Sequence, residues 1–285
     1  RLDLTTGRAI VNGRPADRSV IENNDAVPSR EYDGLHTQFR YRFSDRLDLG
    51  GNYTLSRTQG NVNGETNASG PVRFNGNFPE YSDPRWNSPE GDLATDQRHR
   101  GRIYAIYNVV SSEHHKLGVS LLQTYTSGGP YGAAGSVDTR FNATTNPTGV
   151  VNPGYVLPPT TVTYFFTDRD AFRTENITST DFSVNYSFLW NAFGQSIEVF
   201  LQPEILNAFN EDGVLRFSAG TGEGAINTTV LTAANAGSGL TSFNPFTTTP
   251  VEGVHWRKGP DFGKPTLAAS FQTPRTYRFS VGVRF

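Results

Sequence analysis

Apolar and polar residues alternate over several long stretches of the chain, most clearly at its C-terminal end. Between Arg275 and Phe285, one parity is apolar or aromatic and the other is small or charged. The apolar parity holds Tyr277, Phe279, Val281, Val283 and Phe285. Side chains of a β-strand point alternately to the two faces of its sheet, so this pattern predicts a strand with one apolar and one polar face.

Six further alternating runs form three pairs, and a short connection joins the members of each pair. These connections lie at residues 44–46, 111–115 and 191–195. Two alternating runs around a short turn predict an antiparallel hairpin. The chain is therefore expected to form seven strands, with a possible remnant of an eighth at residues 1–6. Pro203 interrupts the sixth run, and we expect a β-bulge there.

The connections between the hairpins are long, whereas those within them are short. The long ones span about residues 12–30, 58–95, 128–174 and 211–274. Outer-membrane barrels have this asymmetry, with short periplasmic turns and long extracellular loops. Aromatic residues gather beside the short turns, where an interfacial girdle would lie: Tyr41, Phe43, Tyr107, Phe188, Trp190, Phe193 and Phe285. The pattern predicts an all-β fold, an antiparallel transmembrane β-barrel in the outer membrane of a Gram-negative bacterium.

Composition narrows the alternatives. Lys and Arg number 25 against 27 for Asp and Glu, so no overall field attracts nucleic acid. The absence of Cys excludes disulfides and thiolate chemistry. No apolar run reaches the roughly 20 residues of a membrane helix. The chain starts at Arg1 and contains no Met, so we expect a processed product or a piece of a longer chain.

Four stretches together resemble the C-terminal part of TonB-dependent outer-membrane receptors, closest to the Oar-like branch. They are the hairpin Glu31–Arg57, the strand entry Asp96-Gln-Arg-His-Arg100, the segment Phe200–Asn210, and Phe262-Gly-Lys-Pro265 followed by Arg275–Phe285. The resemblance implies a barrel of about 22 strands filled by an N-terminal plug. Residues 1–285 would then be a C-terminal segment of one barrel domain, with about seven or eight strands and the plug domain absent.

The same resemblance implies a function in energised uptake. Substrate would bind to the extracellular loops, and the TonB complex would act through the absent plug. Partners would be outer-membrane lipid and the barrel-assembly machinery, which would recognise the C-terminal strand through Tyr277, Phe279, Val281, Val283 and Phe285. Cargo in the family ranges over metal chelates, cobalamin, oligosaccharides and peptides, and nothing in the sequence selects one. The alternatives are a passive porin or small structural barrel, and a soluble β-rich glycan-binding module.

Catalytic chemistry is not expected. No nucleophile elbow is present, and the adjacent His114 and His115 would point to opposite sides of an extended chain, which suits a shared metal poorly. We therefore predict no enzyme activity, no cofactor and no metal site. The inward parity collects charged residues that would either line a substrate path or pair with each other: Arg40, Arg42, Arg98, Arg100, Arg102, Arg278, Arg284, Asp48, Asp181, Glu198 and Glu204.

Aromatic residues set into the long loops are candidate ligand contacts, because aromatic rings stack on sugars, chelates and peptides. The four candidates are Tyr81, Trp86, Tyr131 and Trp256. The alternative is that such rings pack the loops onto one another, since large ordered loops need a core of their own.

Overall fold

The computed structural model describes residues 9–11, 14–16, 29–61, 89–137, 162–192, 195–215, 227–233, 239–245 and 247–285. Its regular elements are β-strands, with one short 3₁₀ turn at Ala268–Ser270. The strands are β1 (Ala9–Val11), β2 (Arg14–Ala16), β3 (Arg30–Arg42), β4 (Leu47–Gly60), β5 (Gly91–Asp92), β6 (His99–Ser111), β7 (His115–Thr126), β8 (Pro130–Tyr131), β9 (Ala134–Val137), β10 (Val162–Phe165), β11 (Phe172–Arg173), β12 (Ile177–Ala192), β13 (Gln195–Leu206), β14 (Val230–Thr232), β15 (Trp256–Lys258) and β16 (Thr276–Arg284). No helix in these ranges is long and apolar enough to cross a membrane.

Seven long strands form the main sheet in the order β16-β13-β12-β7-β6-β4-β3, and the short β5 adds to the end of β4. Every neighbouring pair is antiparallel. The predicted all-β fold and its seven antiparallel strands are therefore confirmed. Within the described ranges, β3 pairs only with β4 and β16 only with β13. Direction alternates from strand to strand, and the main sheet has seven long strands. The two edge strands, β3 and β16, therefore run in the same direction.

The alternation in the sequence gives the main sheet two different faces. Residues directly opposite one another in neighbouring strands share a face. Leu35 thus lies beside Leu55, and Leu201 beside Val281. Large side chains of this apolar face stay exposed across the sheet, for example Phe279 at 74% and Ile103 at 55%. No described segment covers the apolar face.

The predicted bulge at Pro203 is wrong. The pairs on either side of it, Ser183 with Glu204 and Tyr186 with Leu201, keep one register. Two pairs between them are missing from the ladder with β12, while Pro203 still pairs with Phe279 of β16. Pro203 lacks an N–H, so it removes a ladder hydrogen bond without requiring an extra residue. The register shift of the sheet lies instead between Asn108 and Val110 in β6.

Two aromatic rings on the polar face lie over glycines of the next strand. Tyr104 covers Gly50, and Phe200 covers Gly282. A Cβ atom at Gly282 would lie 2.5 Å from the Phe200 ring, which is too close for van der Waals contact. The absence of a side chain at these two glycines therefore leaves room for the rings to lie against the sheet.

The long loops contain ordered structure where they are described. β8 pairs with β11, β9 with β10, and β14 with β15. Two small apolar clusters hold these pieces together: one of Val137, Tyr164 and Phe243, the other of Ala133, Val230 and Trp256. Phe166 packs against both clusters. The loops at the long-connection end thus have a core separate from the main sheet.

Candidate functional site

Several charges on the polar face of the main sheet pair across neighbouring strands. Arg40 of β3 donates to Asp48 of β4 through both Nε and Nη2, at 3.1 Å and 2.5 Å to Oδ2. Arg284 lies 3.6 Å from Glu198, and its guanidinium also lies 4.6 Å from the centre of the Phe200 ring. Arg278 lies 4.0 Å from Glu204. These residues follow the expectation that inward charges pair with one another.

Other predicted inward charges do not pair with a charge of opposite sign. Arg42, Arg100 and Arg102 make no ion pair with any described residue, and all three are exposed. Asp181 accepts hydrogen bonds from the Ser179 hydroxyl and from the Asn207 backbone N–H. The polar face therefore combines balanced pairs with unbalanced positive charge.

A groove of about 490 Å³ opens on the polar face toward the short turns. Its lining is rich in hydroxyl and amide groups and includes three charged side chains, Lys116, Glu198 and Arg284. The hydroxyls of Ser120 and Ser183 lie 2.8 Å apart within this lining. Such a surface suits water or a polar ligand.

At the opposite end, a dense ion-pair network ties the loops to the main sheet. Asp92, at the end of β5, accepts from Arg57 at 2.8 Å and from both Arg98 and Arg173 at 2.7 Å. Asp96 is fully buried; it accepts from Arg173 at 2.6 Å and from the Thr58 backbone N–H at 2.8 Å. The network joins β4, the start of β6 and β11, which are far apart in sequence.

Electrostatics within the network stabilise the charged forms. Burial alone would raise the pKa of Asp92, but hydrogen bonds from Arg57 and Arg173 and the charge of Arg98 outweigh burial and lower it. For Arg173, burial opposes the charge, and hydrogen bonds to Asp96 and Asp92 raise its pKa. The five side chains carry three positive and two negative charges, so their arrangement is a structural clamp with a small positive excess.

The network explains part of the Asp96-Gln-Arg-His-Arg100 motif. Asp96 and Arg98 belong to the clamp, while His99 lies on the apolar face and contacts Tyr53, with Nδ1 2.7 Å from the hydroxyl. Sequence reasoning missed Asp92 and Arg173, whose side chains meet across 81 positions. No local pattern marks such a pair.

The four aromatic candidates are not brought together. Tyr81 and Trp86 lie outside the described residues. Tyr131 is partly exposed and stacks on Phe172, with ring centres 5.4 Å apart. Trp256 is only 3% exposed and lies 5.1 Å from the Phe166 ring. The position of Trp256 favours loop packing as its role.

The predicted C-terminal strand is β16, and four of the predicted apolar side chains lie on its exposed apolar face: Tyr277, Phe279, Val281 and Val283. The fifth, Phe285, follows the end of β16 and is 92% exposed. Among the described strands β16 is also an edge strand, so in this part of the chain both its backbone edge and its apolar side chains are open to a partner.

Within the described ranges, no group of three or more His, Asp and Glu side chains is placed to hold a metal ion. His115 contacts Tyr186, with Nδ1 2.9 Å from the hydroxyl, and its ring lies 5.0 Å from Phe188. His36 lies on the polar face of the main sheet, with its Nδ1 2.8 Å from the Thr54 hydroxyl.

The geometry thus offers an apolar face, a polar face with unbalanced arginines, and clamped loops at one end. Comparison of the chain with known protein families, with curated proteins and with solved structures finds no match.

Proposed function

We propose that this chain is the C-terminal barrel segment of an outer-membrane active-uptake receptor of the TonB-dependent kind. The observation that carries the proposal is the apolar face, which stays exposed across all seven long strands of the main sheet. Soluble monomers rarely expose apolar patches of more than about 300–600 Å². A face of this extent needs a partner, and hydrocarbon is the partner that an alternating strand of this length fits.

The positions of the aromatic rings and the length of the strands agree with a membrane setting. Trp190 is exposed on the apolar face near the short-turn end, and Phe43 and Phe285 are exposed just past the ends of β3 and β16. In a membrane, aromatic residues at strand ends would form an interfacial girdle. Between His115 and Thr126, β7 spans about 36 Å at 3.3 Å per residue. At a tilt of about 40° this strand crosses about 28 Å, close to the thickness of a hydrocarbon core.

Active uptake, as opposed to passive diffusion, rests on the four stretches that resemble the receptor family. All four contribute to the described structure. The first is the β3–β4 hairpin, and the Asp96–Arg100 strand entry joins the loop clamp. The other two supply the end of β13 and the edge strand β16. A passive porin remains the second candidate, because its barrel wall would have the same two faces. The test uses cells that make the full-length protein containing this segment. Uptake that stops when the proton-motive force is collapsed supports a receptor, and uptake that continues supports a porin.

Membrane topology offers a direct test on the chain itself, which contains no Cys. Single variants Asp45→Cys, in the short turn after β3, and Asp261→Cys, in an exposed loop at the other end, would be reconstituted in lipid vesicles. A membrane-impermeant maleimide should label one position from outside and the other only after lysis. Labelling of both positions in intact vesicles with a uniformly oriented chain would contradict a membrane-spanning sheet.

A further inference from the structure

The polar face of the main sheet carries a cationic patch toward its long-loop end. Arg100 and Arg102 lie two residues apart on β6 and are both exposed. Arg100 lies opposite Thr54, which lies opposite His36 on β3. Arg102 lies opposite Thr124 of β7. These five residues form the Arg100–Arg102 patch.

Three carboxylates of this face already have cationic partners, and a fourth, Asp181, accepts hydrogen bonds from Ser179 and Asn207. Asp48 is held by Arg40, six residue pairs along the β3–β4 ladder from Thr54. Glu204 and Glu198 lie two strands beyond β7, next to Arg278 and Arg284. In the described part of the chain, neither Arg100 nor Arg102 has a carboxylate within 4.0 Å. No carboxylate of the described residues therefore pairs with the positive charge of the patch.

The polar groups around the two arginines suit an oxyanion. A guanidinium group only donates hydrogen bonds, and its fork matches the two oxygens of a carboxylate or phosphate. Thr54 and His36 lie next to Arg100, with their side chains 2.8 Å apart. Because strand residues rise about 3.3 Å each, the two arginine Cα atoms lie about 6.6 Å apart on one face. This spacing allows one ligand to present an oxyanion to each guanidinium.

We propose that the Arg100–Arg102 patch binds a small ligand with two or more carboxylate or phosphate groups. The inference deepens the proposed function, because in an uptake receptor this face would line the path of the substrate. It adds a chemical class that the sequence did not select: an anionic cargo, or an anionic group on the cargo. Neutral sugars and cationic peptides offer no charge that the patch would complement.

The test titrates inorganic pyrophosphate into the full chain in detergent by isothermal calorimetry at low salt. The variant Arg100→Gln/Arg102→Gln removes the patch. The control Arg42→Gln/Arg46→Gln removes two exposed positive charges near the short turn between β3 and β4. The side chains of Arg100 and Arg102 make no hydrogen bond or ion pair with another described residue, so circular dichroism of both variants should match that of the parent chain.

We expect the patch variant to weaken pyrophosphate binding about tenfold or more, since it removes two exposed charge-assisted contacts, each of modest energy. The control should change affinity by less than about twofold. Equal weakening by both variants, or no binding to the parent chain, would overturn the inference. Vesicle labelling of the same chain reports separately on the membrane proposal, so an inserted chain without anion binding would refute the patch alone.

Discussion

A charged residue placed on the apolar face distinguishes hydrocarbon from water as the medium around this sheet. Val281 and Ser280 are neighbours in β16, and both are exposed. Val281 is on the apolar face opposite Leu201, whereas Ser280 is on the polar face opposite Gln202. The matched substitutions Val281→Arg and Ser280→Arg thus add the same side chain at almost the same depth on opposite faces.

The two media predict different effects. Val281 is 72% exposed, so in water its replacement by Arg should change the free energy of unfolding by no more than about 0.5 kcal/mol. Near the middle of a bilayer, an arginine on the lipid face costs about 2–4 kcal/mol. That cost lowers the ratio of folded to unfolded chain by about 30- to 900-fold. Ser280→Arg should cost less than about 1 kcal/mol in either medium, because the polar face is hydrated.

The assay is reversible urea unfolding of the chain in short-chain phospholipid vesicles, followed by tryptophan fluorescence. The prediction is a loss of about 2–4 kcal/mol for Val281→Arg and a much smaller loss for Ser280→Arg. Equal effects of the two substitutions would refute the assignment of the faces to lipid and water. An unchanged or increased stability of Val281→Arg would refute hydrocarbon contact at this position.

Three further substitutions test the loops and the polar face. Asp92→Asn breaks a buried cluster of ion pairs and should raise the rate of hydrogen exchange in residues 91–98 by about 10²-fold or more, whereas the exposed Asp261→Asn should not. The folded structure lowers the pKa of Asp92, so in the parent chain the protection against exchange should be constant above 3.8, the ordinary pKa of an aspartate. It should fall as the pH drops below that value. Gly282→Ala should cost about 1–3 kcal/mol by displacing the Phe200 ring, while Gly101→Ala, whose added carbon meets its nearest neighbour at 3.6 Å, should cost far less in thermal unfolding. Trp256→Ala should destabilise the loop core by about 3–5 kcal/mol, detected as faster proteolysis of the long loops with unchanged strand content by circular dichroism.

The main sheet could be predicted because its information is local. Alternation of the type seen from Tyr277 to Phe285 sets both the strand and its faces, and short turns such as Ser44–Arg46 set the pairing. Proline lacks a donor, and this property predicts a bulge at Pro203, yet the ladder accommodates the loss without an extra residue. The register shift near Asn108 has no such compositional mark.

The loop core and the clamp could not be predicted for a different reason. Their contacts join residues far apart in sequence, such as Arg173 with Asp92 and Phe166 with Trp256. A lone aspartate or tryptophan in a polar loop gives no sign of its distant partner. Alternation also does not determine whether protein, water or lipid contacts the apolar face, since soluble sheets and membrane sheets have the same period of two residues.

The central claim is that hydrocarbon surrounds the apolar face, and the tryptophans of this chain can report on it directly. Trp190 is 55% exposed on that face, and Trp256 is buried in the loop core. In vesicles of lipids brominated on the upper acyl chain, close to the headgroup, a variant that keeps only Trp190 should lose most of its fluorescence, and one that keeps only Trp256 should lose almost none. Equal quenching of the two, or none at Trp190, would contradict the account.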